Sequence, residues 1–120
     1  MQDYHNIDIW KRSRVQAVEV RKATRRFPRS GYSELKKQMT TAAESILFNI
    51  VEGCGASTQK EFARFLDITI KSAYELEGQL ELASDYGILA ADPFAKLAKE
   101  TVEIRKMTYA LREKVLKSLE

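Results

Sequence analysis

Apolar and small residues recur at three- and four-residue steps along four stretches of the chain, with turn-forming residues between them. That spacing places them on one face of a helix. In the second stretch Leu35, Met39, Ala42, Ile46 and Ile50 form the line, and Ala43, Leu47 and Phe48 widen it. The first stretch carries Trp10, Ser13, Ala17, Val20, Thr24 and Phe27, a heptad seam with several small members. The third carries Phe62, Leu66, Thr69, Ala73, Leu76, Leu80 and Ala83, broadened by Phe65 and Ile70. The fourth runs Phe94, Leu97, Thr101, Ile104, Thr108, Leu111 and Val115. No strand-like alternation interrupts the pattern.

Punctuation between the stretches sets the boundaries. Asp8 is the expected N-cap of the first helix, and Pro28 stops it by biasing Phe27 away from helical angles. Ser33 is the expected cap of the second helix. Gly53 and Gly55 close it, one of them expected in the left-handed conformation. Thr58 to Glu61 has the spacing of a capping box, Gly87 stops the third helix, and Asp92-Pro93 restarts the chain as N-cap and first helical residue. The spacing therefore predicts helices over about 8–26, 33–53, 58–86 and 93–118. Four long amphipathic helices with short loops make an all-α fold, a single up-down-up-down antiparallel four-helix bundle over residues 1–120.

Polar lines border two of the apolar ones. Gln38, Ser45, Asn49 and Glu52 fall within one sector of the second helix, and Ser72, Glu75 and Gln79 do the same on the third. One reading pairs Ser45, Asn49 and Glu52 with Ser72, Glu75 and Gln79 in a network that fixes helix register. The other gives them a ligand or partner to contact. Glu52 stands at the negative end of its helix dipole, so it is expected to face the N-terminus of the third helix.

Charge is placed unevenly. Residues 1–40 hold ten basic residues (Lys11, Arg12, Arg14, Arg21, Lys22, Arg25, Arg26, Arg29, Lys36 and Lys37) against four acidic ones. Residues 41–120 hold ten basic and thirteen acidic residues, so the net +3 conceals a basic leading third. Such a face fits a phosphate backbone or an acidic protein; a solvated surface is the plain alternative.

Other chemistry is sparse. The 44% apolar and 31% charged residues are globular proportions, and 120 residues suffice for one core. No apolar run reaches the roughly 20 residues of a membrane span, and the N-terminus lacks signal-peptide features, so a cytoplasmic protein without membrane attachment is expected. Cys54 is the single cysteine, flanked by glycines with no histidine as base, and reads as a turn residue. Glu52, Glu75 and Glu77 suggest the carboxylates of di-iron bundles, but the one histidine, His5, precedes the first helix in a stretch read as a mobile, solvated tail. No metal, cofactor or enzymatic activity is expected. Phe62, Phe65 and Phe94 sit on heptad lines and read as core rather than stacking surfaces. Ala43, Leu47, Phe48, Phe65 and Ile70 either fill a broad core or face an oligomer interface.

The motifs Q-x-x-x-A-A-x-S-I-x-x-N-I-x-E-G, S-x-x-E-F-x-x-F-L and S-x-x-E-L-E-x-Q-L carry a resemblance. They comprise Gln38, Ala42, Ala43, Ser45, Ile46, Asn49, Ile50, Glu52 and Gly53; then Glu61, Phe62, Phe65 and Leu66; then Ser72, Glu75, Leu76, Glu77, Gln79 and Leu80. With Ile9-Trp10 and Phe27-Pro28, this resembles the four-helix bundle proteins encoded in intervening sequences of bacterial 23S ribosomal RNA genes. The resemblance covers nearly the whole chain. It implies a closed bundle in a ring-like homo-oligomer, often a pentamer, with no established enzymatic activity. A related group serves as accessory proteins of diversity-generating retroelements, where a basic ring binds a reverse transcriptase and its RNA. Family members usually carry arginines where this chain has Thr40 and Thr41, with Lys36 and Lys37 one turn earlier as partial replacements. Two functions follow as expectations: an oligomeric scaffold binding RNA or DNA through the basic first helix, or an interaction module docking a reverse transcriptase or other acidic partner.

Overall fold

Four helices account for most of the chain in the computed structural model, which describes residues 3–119. They are α1 (Asp8–Thr24), α2 (Ser33–Cys54), α3 (Gln59–Asp85) and α4 (Ala91–Lys117), preceded by a single 3-10 turn at Tyr4–Asn6. Among the described residues there is no strand, and the chain is an all-α four-helix bundle. Cross-helix contacts run in opposite directions along α2–α3 and along α3–α4. On α2 and α3, Ser45 meets Ser72 while Gly53 meets Phe62. On α3 and α4, Asp67 meets Arg112 while Glu77 meets Arg105. A 27-residue helix is about 40 Å long, which accounts for most of the 50 Å length of a molecule only 20 × 19 Å across.

The apolar lines converge on one core. Every member of the α3 line from Phe62 to Ala83 is buried, as are Leu35, Met39, Ala42, Ile46 and Ile50 of α2. On α4, Leu97, Thr101, Ile104, Thr108 and Val115 are buried, while Phe94 and Leu111 pack at the margin. The buried threonines on α3 and α4 bond to backbone carbonyls. Thr101 and Thr108 donate to the carbonyls one turn back, Leu97 O and Ile104 O, at 2.7 Å each, and Thr69 reaches across to Ile46 O at 3.4 Å. α1 is held differently. Beside Ser13, Val20 and Thr24 it buries Ile9, Ala23 and Gln16, and Phe27 is buried in the turn that follows. Gln16 Nε2 donates to Leu97 O (3.0 Å) and Thr101 Oγ1 (2.8 Å), a polar clasp on α4 that a hydrophobic pattern does not announce.

Helix ends depart from the expected caps. Ile7, in extended conformation, is the N-cap of α1, which makes Asp8 the first helical residue, where its carboxylate complements the dipole. Tyr32 rather than Ser33 precedes α2, and no side chain caps it. Ala90 is the N-cap of α4, so Pro93 stands third in the helix, still among the positions whose N–H has no intrahelical partner. Thr58 does cap α3, accepting from Glu61 N at 3.1 Å. α1 ends at Thr24, with Arg25 and Arg26 already in the turn.

Gly53 and Gly55, at the end of α2, are not left-handed either; positive φ occurs only at Gly31 and Gly87 among the described residues. Gly87 (φ 76°) closes α3 by a Schellman motif, with Ile88 N bonded to Ala83 O and Gly87 N to Ser84 O. Gly53 serves another purpose. It is helical, and a Cβ there would lie 2.9 Å from Phe62 Cδ1 and 3.1 Å from Phe65 Cβ, so its missing side chain lets α3 approach closely.

Candidate nucleic-acid interface

The turn after α1 brings that helix's last residues beside the first turns of α2. Arg21 and Arg25 from one side and Lys36 and Lys37 from the other line an open groove of about 360 Å³. Thr24, Ser33 and Thr40 complete its wall, and no carboxylate contributes. All four cations are exposed, and among the described residues none of them is in an ion pair. The positive end of the α2 dipole adds to the same field, because Ser33 is that helix's first residue. Four mutually repelling cations around an open trough form a standing attraction for a polyanion.

The remaining basic residues do not all join this face. Lys11, Arg14, Lys22, Arg26 and Arg29 are exposed. Arg14 lies over the Trp10 ring (5.5 Å), and Lys22 is 3.6 Å from Glu19 on its own helix. Arg26 lines a different cleft. Arg12 is a correction to the expected face: its Nε donates to Glu100 Oε2 at 2.9 Å, and that hydrogen bond raises the guanidinium pKa above its ordinary value. Its charge is spent on joining α1 to α4. Thr40 lies in the groove with Lys36 and Lys37, its hydroxyl donating back to their carbonyls at 3.1 and 3.0 Å, while Thr41 is exposed.

The expected polar network is smaller than its sequence lines. Ser45 and Ser72 share a hydrogen bond of 2.8 Å between α2 and α3. Asn49 turns back on its own helix, donating to Ser45 O (2.8 Å) and Ser45 Oγ (3.1 Å) rather than to α3. Glu52, Glu75 and Gln38 are exposed, so the three-by-three pairing does not form. Gln79 Oε1 is buried without a hydrogen-bond partner among the described residues. Glu52 and Glu75 therefore do not stand inside the bundle as metal carboxylates would, and Glu77 is held by Arg105 at 2.6 Å. Among the described residues no three His, Cys, Asp or Glu side chains gather closely enough to hold a metal.

Ala43 is buried in the chain's own core and is unavailable to an interface. Phe48 is 57% exposed, and Leu47, Phe65 and Ile70 are half-buried. His5, expected in a mobile tail, sits in the 3-10 turn with Nδ1 2.7 Å from Asp3 Oδ1 and its ring stacked on Tyr4. Cys54 is buried, and desolvation pushes its thiol pKa above the ordinary range. No helix among the described residues is long and apolar enough to cross a membrane.

The sequence profile of 23S rRNA-intervening sequence proteins matches residues 5–110. The chain belongs to that family. A solved structure has the same fold: a protein with unknown function from the S23 ribosomal protein family of Bacteroides thetaiotaomicron. It is 23% identical, with 87% of this chain and 97% of that chain covered and a TM-score of 0.81. No curated protein matches the sequence.

The chain also has features that spacing alone did not single out. Tyr32, the residue before Ser33 of the groove wall, has its ring 5.8 Å from that of Tyr86. Arg105 lies over the Tyr74 ring at 4.4 Å while holding Glu77, and Arg112 bridges Asp67 and Glu113. A larger cleft of about 720 Å³ lies between α1 and the start of α4, where Val15 and Ile88 lie among the carboxylates of Glu19, Asp92 and Glu100 and the cations of Lys22, Arg26 and Lys96. Its carboxylates set it apart from the all-cationic groove.

Proposed function

We propose that this family member is a non-enzymatic, homo-oligomeric scaffold or accessory factor of the cytoplasm that binds RNA through the groove between α1 and α2. One observation carries the reading: Arg21, Arg25, Lys36 and Lys37 converge on an open trough with no carboxylate in its lining. Unpaired cations of this kind supply the sequence-independent part of nucleic-acid affinity. Assembly into a ring, a pentamer by family resemblance, would repeat the groove around an axis and raise avidity. Phe48, 57% exposed, is the apolar side chain that supports assembly.

A second reading is an interaction module that docks an acidic protein such as a reverse transcriptase. Val15 (60% exposed) and Val18 (51% exposed) favour it, because they lie on the same basic helix and a phosphate backbone has no use for them. Two measurements separate the readings. The RNA scaffold binds labelled RNA of mixed sequence at low salt, and any protein that co-purifies with it is lost after nuclease treatment. No binding to RNA or DNA at low salt, together with a partner that survives nuclease, overturns the first reading in favour of the second.

A further inference from the structure

The groove has a neighbour that phosphate binding alone does not use. Tyr32 is the residue immediately before Ser33 in the groove wall, and its ring meets that of Tyr86 at 5.8 Å and 46°. Tyr86 is the residue after α3 and is 53% exposed, so part of this aromatic pair is open to solvent. Asp85, exposed and adjacent in the chain, makes that side unwelcoming to a phosphate. The same end of the bundle thus carries a cationic trough and an exposed aromatic side chain with an acidic neighbour in the chain. A polyanion alone would be served by the trough.

We infer that the site takes single-stranded RNA in preference to duplex, with phosphates along Arg21, Arg25, Lys36 and Lys37 and an unstacked base on Tyr86. Only unpaired bases present a free face to an aromatic ring; in a duplex those faces are stacked on one another. The inference rests on the RNA reading given above and adds the strand state that the site selects. Because every base has a π-face, the preference is for strand state and not for sequence. Tyr32 acts as the backing of the platform: half-buried at the start of α2, it holds the Tyr86 ring in place.

The test measures binding of a labelled single strand of about 12 nucleotides and of the matching duplex, a length within known single-strand site sizes. Wild type, Tyr86→Leu and Tyr86→Phe are compared, and helical circular dichroism checks that each is folded. Wild type should bind the single strand more tightly. Tyr86→Leu should lose roughly 5- to 100-fold in single-strand affinity while duplex affinity stays put, and Tyr86→Phe should restore the wild-type value. Equal binding of both forms, or a Tyr86→Leu variant that binds single strands as wild type does, overturns the inference and leaves the polyanion reading standing. Failure of wild type to bind either form overturns both.

Discussion

Exchanging glycine for alanine at Gly53 and at Gly78 should have opposite effects, although both residues lie within helices. On helix propensity alone each change gains up to about 1 kcal/mol. At Gly78, exposed in the middle of α3, a Cβ meets nothing within 4 Å, so the gain should be realised. At Gly53 the new methyl lies 2.9 Å from Phe62 Cδ1 and 3.1 Å from Phe65 Cβ. The Phe62 ring is 2% exposed and has little room to swing away, and a Cβ moves only with its helix. Overpacking of this kind costs roughly 1–3 kcal/mol, which separates the two variants by about that amount. For a domain of this size that difference corresponds to roughly 4–12 °C in Tm. Thermal unfolding followed by helical circular dichroism reads it directly. A Gly53→Ala protein as stable as Gly78→Ala would refute the close approach of α2 and α3 at this point.

Two further outcomes follow from contacts between or within the helices. Ser45→Ala should cost about 1–2 kcal/mol by stranding the buried Ser72 hydroxyl, whereas adding Ser72→Ala should recover much of the loss, a coupling that a double-mutant cycle in urea measures. Cys54 should resist thiol reagents until the protein unfolds, because it is 2% exposed and its pKa is raised by burial. Since the folded value lies above the unfolded one, the neutral thiol's contribution to stability is complete below the ordinary thiol range and is lost as pH rises through the raised value. Cys54→Ala should therefore flatten the alkaline limb of a stability-against-pH curve.

The bundle was legible in the sequence because its core follows helical periodicity almost residue for residue, as the α3 line from Phe62 to Ala83 shows. Helix starts were harder to read. Asp8, Ser33 and Asp92 are residue types that cap, but the extended residue just before a helix is set by how the loop arrives, and Ile7 and Ala90 fill that position without a capping side chain. Gly53 looked like a terminator because its role depends on Phe62 and Phe65 across the α2–α3 seam. The basic face was visible as composition, yet its division was not. Arg12 meets Glu100 from 88 residues away, and only the α1–α4 register removes it from the set. Tyr32 and Tyr86 belong to a loop and a helix end outside any apolar line, so the pattern had no reason to join them.

The most direct test of the cationic groove is the salt dependence of single-stranded RNA binding. Each neutralised phosphate contributes about −0.7 to the slope of log K against log salt, so the four groove cations predict a slope near −3 per groove, steeper where other exposed basic residues join. Arg21→Gln with Arg25→Gln should make it shallower by roughly 1.4, while Arg12→Gln should leave it unchanged because Glu100 already holds that charge. A slope that responds equally to Arg12→Gln, or does not respond to the loss of Arg21 and Arg25, would contradict the groove as the binding surface.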